Sequence, residues 1–139
     1  MNGKYTFSMI KPDAVKNGFQ GLILDQIIKA GFKISAMKLL RLSQQQAQSF
    51  YEIHQGKPFY ESLTQFMSSG NIIALMLEKE NAVEDFRKLI GATNPAQAEQ
   101  GTIRQLYASS LSENAIHGSD SDENAEKEIN FFFSVLERF

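Results

Sequence analysis

Apolar and polar positions change period several times along this chain, and each change marks an element. Lys4 to Ile10 (KYTFSMI) is rich in aromatic and strand-favouring residues and predicts a strand. It stops at Lys11-Pro12-Asp13, where proline imposes an extended approach and a turn. Beyond Gly18, the residues Phe19, Leu22, Ile23, Ile27 and Ala30 are spaced for one helical face, and Gly31 supplies the stop. The mixed apolar and basic segment Phe32 to Leu42 predicts a second strand. Ser43-Gln-Gln-Gln matches a capping box and opens a helix with Ala47, Phe50, Tyr51 and His54 on one face. Gly56-Lys57-Pro58 breaks that helix, and a second short one carries Phe59, Leu63, Phe66 and Met67 towards Gly70.

Asn71 to Leu77 (NIIALML) is a continuous apolar run of strand length, covered on at least one face. Asn81, with Glu84 three residues on, predicts an N-cap for a helix bearing Val83, Phe86 and Ile90, with Arg87 beside that face. Gly91 to Gly101 is the one long irregular stretch, and loops of that length in a compact domain are usually functional. A short strand and an acidic amphipathic helix, Asp122 to Phe133, complete the chain. This order approximates β-α-β-β-α-β with insertions. It predicts an α+β fold, a ferredoxin-like sandwich with a four-stranded antiparallel sheet and helices on one face.

Composition narrows the chemistry. A chain of 139 residues is most simply one domain, residues 1–139. The net charge of −2 provides no general basic field for nucleic acid, so any anion must be held by a few convergent cations. The absence of cysteine excludes disulfides and thiolate chemistry, and two histidines are too few for a histidine-based structural zinc site. The N-terminus runs straight into a strand without a signal-peptide core, and no apolar run approaches membrane-spanning length. The expectation is a cytoplasmic protein.

The most informative stretch is Asn114-Ala-Ile-His117-Gly-Ser119-Asp120-Ser. Imidazole is a good nucleophile near neutral pH, Gly118 leaves room beside it, and the helix that follows turns its positive end towards anions. A histidine in a loop is, by itself, more often a surface or hydrogen-bonded residue. The other polar residues are coherent with an anionic ligand. Lys11, Arg87 and Arg104 are cations, two of them guanidiniums able to grip phosphate bidentately. Thr93, Tyr51 and Asn114 are neutral donors, and Phe59 offers a stacking face. Periodicity leaves Lys11 open between a cleft and solvent, and Tyr51 and His54 open between inward packing and a shared pocket.

On four motifs in order, the sequence closely resembles the nucleoside diphosphate kinases: Lys11-Pro-Asp-Ala-Val, Gly91-Ala-Thr-Asn-Pro, Gly101-Thr-Ile-Arg and Asn114-Ala-Ile-His-Gly-Ser-Asp-Ser. The resemblance covers essentially the whole chain. It implies transfer of the γ-phosphoryl group of a nucleoside triphosphate, typically ATP, to a nucleoside diphosphate by a ping-pong mechanism. It makes His117 the phosphorylated residue, Glu128 its orienting partner, and Ser119 a hydrogen-bonding neighbour. Lys11 and Asn114 would contact the sugar, and Arg87, Thr93 and Arg104 the phosphates, with Tyr51 and His54 at their edge. Phe59, Leu63 and Leu111 would flank the base, and these pocket residues predict broad base and sugar specificity. Mg²⁺ would arrive on the nucleotide, touching the protein at most through water at Asp120, with no direct metal ligand. A homo-oligomer is implied, a tetramer or hexamer with contacts near Pro95. Leu106, Asn71 and Asn17 depart from the family pattern at positions that bear on packing and assembly. A non-catalytic relic of the fold would have no need of His117 and Glu128 together, and a phosphocarrier acting on proteins would have no need of Phe59 and three cations.

Overall fold

The computed structural model describes residues 3–139. Four strands form one sheet: β1 (Tyr5–Ile10), β2 (Lys33–Leu40), β3 (Ile72–Glu78) and β4 (Ile116–Gly118), in the spatial order β2-β3-β1-β4. Every pairing is antiparallel, with Phe7 opposite Met76 and Met9 opposite His117. Among the described residues the seven α-helices are α1 (Pro12–Lys16), α2 (Gln20–Lys29), α3 (Gln44–Phe50), α4 (Tyr60–Met67), α5 (Ala82–Ile90), α6 (Ile103–Tyr107) and α7 (Asp122–Phe132).

The expected four-stranded antiparallel sheet is present, but its helices cover both faces rather than one. The reason lies in β3, where Ile72 to Leu77 are all buried. A strand that is apolar at successive positions sends side chains to two cores. Ile73, Leu75 and Leu77 join Ile23 and Ile27 of α2 and Phe86 and Ile90 of α5. Ile72, Ala74 and Met76 join Ala47 of α3, Met67 of α4, and Ile129 and Phe132 of α7. Phe7 and Met9 of β1 belong to the second core and Ile10 to the first. His117 opposes Met9 in the register and lies against Phe7, so its ring stands on the second face.

Other differences are local. Two five-residue helices, α1 and α6, replace expected turn and loop. Pro12 stands at the start of α1, where its missing N–H costs nothing, and Thr102 caps α6 by accepting the Gln105 N–H. Leu22 is turned outward, leaving Ile23 and Ile27 as the buried pair of α2. Tyr51 closes α3 and His54 lies on a separate 3-10 turn, Glu52–His54. Asn81 has left-handed backbone, φ 56°, and does not cap α5 with its oxygen; its side-chain nitrogen donates to Glu84 instead. The Ser43–Gln46 capping box forms in both directions.

Candidate active site

His117 is the middle residue of β4, an edge strand only three residues long. Its Nε2 lies 3.1 Å from Glu128 Oε1, and Ser119 Oγ donates to that same oxygen at 2.6 Å. An ionised carboxylate only accepts, so Nε2 carries the proton and Nδ1 keeps the lone pair. The ring is held from the sides by Phe50 (centroids 5.8 Å apart, 77° between planes) and Phe7 (5.9 Å, 57°). Ser119 is anchored in turn: its Oγ accepts the Phe7 N–H at 3.2 Å, and its backbone N–H donates to the Phe7 carbonyl at 3.2 Å.

Glu128 reaches the ring because α7 is fixed at both ends of its first two turns. Ser121 accepts the Asn124 N–H at 3.1 Å, and Asp122 and Glu123 suit the positive N-terminal end. Ala125, Ile129 and Phe132 then bury one stripe and leave Glu128 beside it, facing β4. Gly118 permits the close approach on the other face. A Cβ there would lie 2.9 Å from Ile90 Cδ1 and 3.1 Å from Phe86 Cδ2.

A cleft of about 880 Å³ opens over this strand. His117 and Glu128 line it from β4 and α7, with Tyr51 and His54 beside α3, while Arg87 lines it from α5, Thr93 from the loop after α5 and Arg104 from α6. Arg104 is almost wholly buried, donating to the Gly91 carbonyl at 3.0 Å and the Ile116 carbonyl at 2.9 Å. Its Nε has no partner among the described residues. Burial, and then the charge of Arg87, lower its pKa to about 10. Lys11 is buried too and is lowered to about 8 by desolvation first and Arg104 second, with Asp13 opposing. Cations that depress one another in a low-dielectric site form a place for an anion.

The remaining expected residues surround the cleft rather than line it. Lys11 Nζ donates to Asn114 Oδ1 at 2.8 Å, and Asn114 Nδ2 donates to the Leu111 carbonyl at 3.1 Å. The Leu111 side chain itself is exposed. Phe59 is partly exposed at the start of α4, its ring 5.2 Å from that of His54, while Leu63 packs on the second core. Tyr51 stacks beside His54, with ring centroids 6.3 Å apart. Its buried hydroxyl has no partner among the described residues, and burial together with Glu128 pushes its pKa up. Leu106 is exposed on α6, Asn71 is exposed just before β3, and Asn17 ends α1.

Sequence reasoning treated Phe50 only as core and Asp13 only as part of a turn. Phe50 flanks the imidazole, and its place one residue before Tyr51 was the available signal. Asp13 contacts the backbone of the Asn114 motif, a link between residues about a hundred positions apart that no local pattern discloses.

No three His, Asp or Glu side chains among the described residues converge as a metal cluster. Of the carboxylates on the cleft wall, Glu128 is engaged by His117 and Ser119, while Asp120 is exposed and accepts from Asn124 Nδ2 at 2.6 Å. This donor set fits an ion held chiefly by phosphate oxygens and water, as Mg²⁺ commonly is.

Comparison with known proteins agrees along the whole chain. The family model for nucleoside diphosphate kinase matches residues 4–137. A nucleoside diphosphate kinase of Flavobacterium psychrophilum is 60% identical over 134 residues, covering 96% of each chain. One from Lawsonia intracellularis is 53% identical over 135 residues, covering 97% of this chain and 98% of its own. The Aquifex aeolicus nucleoside diphosphate kinase, in an orthorhombic C222 crystal form, superposes with a TM-score of 0.96 at 41% identity, covering 98% of this chain and 99% of that one. A halophilic nucleoside diphosphate kinase from Halobacterium salinarum, solved in complex with CDP, gives a TM-score of 0.94 at 36% identity over 99% and 92% of the two chains.

Proposed function

The chain belongs to the nucleoside diphosphate kinase family, phosphotransferases acting between nucleotides, and from that premise we propose how its own residues move the γ-phosphoryl group from a nucleoside triphosphate to a diphosphate. His117 Nδ1 attacks the γ-phosphorus in line with the bridging oxygen. The bond from that oxygen to γ-phosphorus breaks, the diphosphate leaves, and a phosphohistidine remains. A second diphosphate, in the same pocket, takes the group by the reverse of these steps. The observation that carries this reading is the Ser119–Glu128–His117 chain, which fixes the tautomer and leaves Nδ1 as the free nucleophile.

Glu128 also balances the positive charge that the imidazole gains on phosphorylation. Arg87, Thr93 and Arg104 hold the phosphates and Tyr51 offers its unpartnered hydroxyl, so that charge spreading over equatorial oxygens meets fixed donors. Lys11 and Asn114 take the sugar's 3′-hydroxyl, and Lys11 supports the transferring group. Mg²⁺ enters as part of the substrate, with Asp120 the carboxylate best placed to meet its water shell. Phe59, Leu63 and Leu111 flank the base while His54 borders the phosphates. None of these aims a carboxylate or amide at a base edge, which supports broad base and sugar specificity.

We also read residues 1–139 as one domain working in the cytoplasm as a homo-oligomer, a tetramer or hexamer. Exposed apolar side chains on α2 (Leu22, Ile28) and on the edge strand β2 (Met37, Leu39) support the assembly. No helix among the described residues is long and apolar enough to cross a membrane. Incubation with γ-labelled ATP and magnesium tests the chemistry directly. The protein should carry an acid-labile, base-stable phosphate that a diphosphate removes, and His117→Ala should abolish both label and transfer. A fully labelled alanine variant would sink the assignment.

A further inference from the structure

We infer that Asp13 is a positioning residue for the reaction: its carboxylate clamps a left-handed γ-turn at Ala115 that sets Asn114 and His117 in place. The inference rests on the phosphoryl-transfer reading above and deepens it. Ala115 is fully buried and has φ 73°, and Asn81 is its only non-glycine companion in positive φ among the described residues. Across it, the Ile116 N–H donates to the Asn114 carbonyl at 2.9 Å, an i to i+2 closure. With positive φ at its centre, this is the rare and strained hand of the γ-turn. A side chain with a Cβ holds such backbone only where its surroundings over-determine it.

The surroundings do so through one short segment. The Ala115 N–H donates to Asp13 Oδ2 at 3.1 Å, and the Ala115 carbonyl accepts the Lys11 N–H at 2.8 Å. Both polar groups of the strained residue are thus tied to the three residues that leave β1. The β1–β4 ladder begins only afterwards, at Ile10 opposite Ile116. A three-residue strand has few ladder bonds with which to define its own entry, so the turn before it does that work. On one side of the turn Asn114 meets Lys11 Nζ; two residues beyond it stands His117. Turning the peptide between Asn114 and Ala115 would part the first pair and tilt the strand that carries the nucleophile.

Asp13 is itself held for this task. It sits in the first turn of α1, directly after Pro12, and is buried. Its Oδ1 is buried without a hydrogen-bond partner among the described residues, leaving Oδ2 and the Ala115 N–H as the contact it makes to the Asn114 motif. A carboxylate stripped of water on one oxygen is costly, and the first turn of α1 and the charge of Lys11 offset only part of that cost. Its reach to Ala115 is the further reason to keep it.

The test separates an acceptor role from a general loss of structure. Asp13→Ala is expected to lower kcat by roughly 100-fold, the scale of a small misplacement of reacting groups, with a smaller rise in KM for nucleotide from the displaced Asn114. Asp13→Asn keeps an oxygen acceptor and should retain most of kcat. Ala115→Gly placed on Asp13→Ala should recover part of the loss, because glycine adopts this backbone freely. Hydrogen exchange should find the Ala115 amide protected in wild type and Asp13→Asn, and fast in Asp13→Ala. Wild-type kcat in folded Asp13→Ala overturns the inference, as does a loss of about tenfold or more in folded Asp13→Asn. The second criterion stands even if the alanine variant does not fold. Wild-type protein that takes no label from γ-labelled ATP would overturn the phosphoryl-transfer reading instead.

Discussion

On the β4–α7 wall of the cleft the groups about the imidazole are satisfied within the protein, and on the α5–α6 wall the cations are not. Glu128 accepts from both His117 and Ser119, and only the nucleophilic nitrogen is left free. On α6, Arg104 spends two of its donors on backbone carbonyls and keeps Nε unpaired among the described residues, and exposed Arg87 of α5 adds charge beside it. The first wall is finished before a substrate arrives, so it costs no reorganisation during the reaction. In the proposed reaction the second is completed by the ligand, whose phosphates supply the missing negative charge. Damage to the first should therefore appear in kcat and damage to the second in affinity.

Breaking the finished wall should have the largest effect. Glu128→Ala removes the acceptor for Nε2–H and should lower kcat by roughly 10- to 10⁴-fold, with nucleotide affinity nearly unchanged. Single-turnover labelling of His117 checks this, and lost affinity with intact kcat would reverse the assignment of the walls. Next comes Arg87→Ala on the unfinished wall. Removing a charged hydrogen-bond donor worth ~1.5–3 kcal/mol should raise the dissociation constant by about 10- to 100-fold. Arg87 is exposed, so thermal unfolding should hardly move.

The smallest effect is a pH dependence that sharpens the contrast. With a pKa of about 8, Lys11 in the free enzyme loses its charge on the alkaline side of neutrality. The logarithm of kcat/KM should bend downward there, to about a tenth at pH 9 if the neutral form is inactive. Bound nucleotide favours the charged lysine, so the bend in kcat should lie at higher pH. Stability should run the opposite way. The folded pKa lies below the ordinary 10.5, so between about 8 and 10.5 the unfolded chain binds more protons and this group's contribution to stability rises with pH. Parallel pH titrations of kcat/KM and of denaturant midpoint would reveal the two slopes, and equal signs would show that Lys11 is not the group responsible.

Much of the architecture was legible because it rests on local chemistry. KYTFSMI and NIIALML are strands by composition, and Ser43 and Gln46 formed the box their spacing predicted. The unbroken apolar run of β3 read only as a strand covered on at least one face, and the second covered face became visible in the structure. Five residues are too few for a helical period to register, so α1 and α6 were missed. Pro12 and the Thr102-Ile-Arg-Gln105 spacing were their only marks. The candidate site was read from motifs, and the structure brings His117, Glu128 and Ser119 into one hydrogen-bonded chain and Lys11 against Asn114. Phe50 and Asp13 stayed hidden because what they do depends on neighbours distant in sequence.

Gly118 fixes the spacing of the two walls by what it lacks. β4 carries His117 and α5 carries Arg87, and they press together across this glycine, where a single methyl would overlap Ile90 and Phe86. Gly118→Ala would act as a shim, prising the arginine's helix away from the histidine's strand without touching either side chain. The working gap of the cleft is thus gauged by one absent carbon, on the face of β4 turned away from the imidazole.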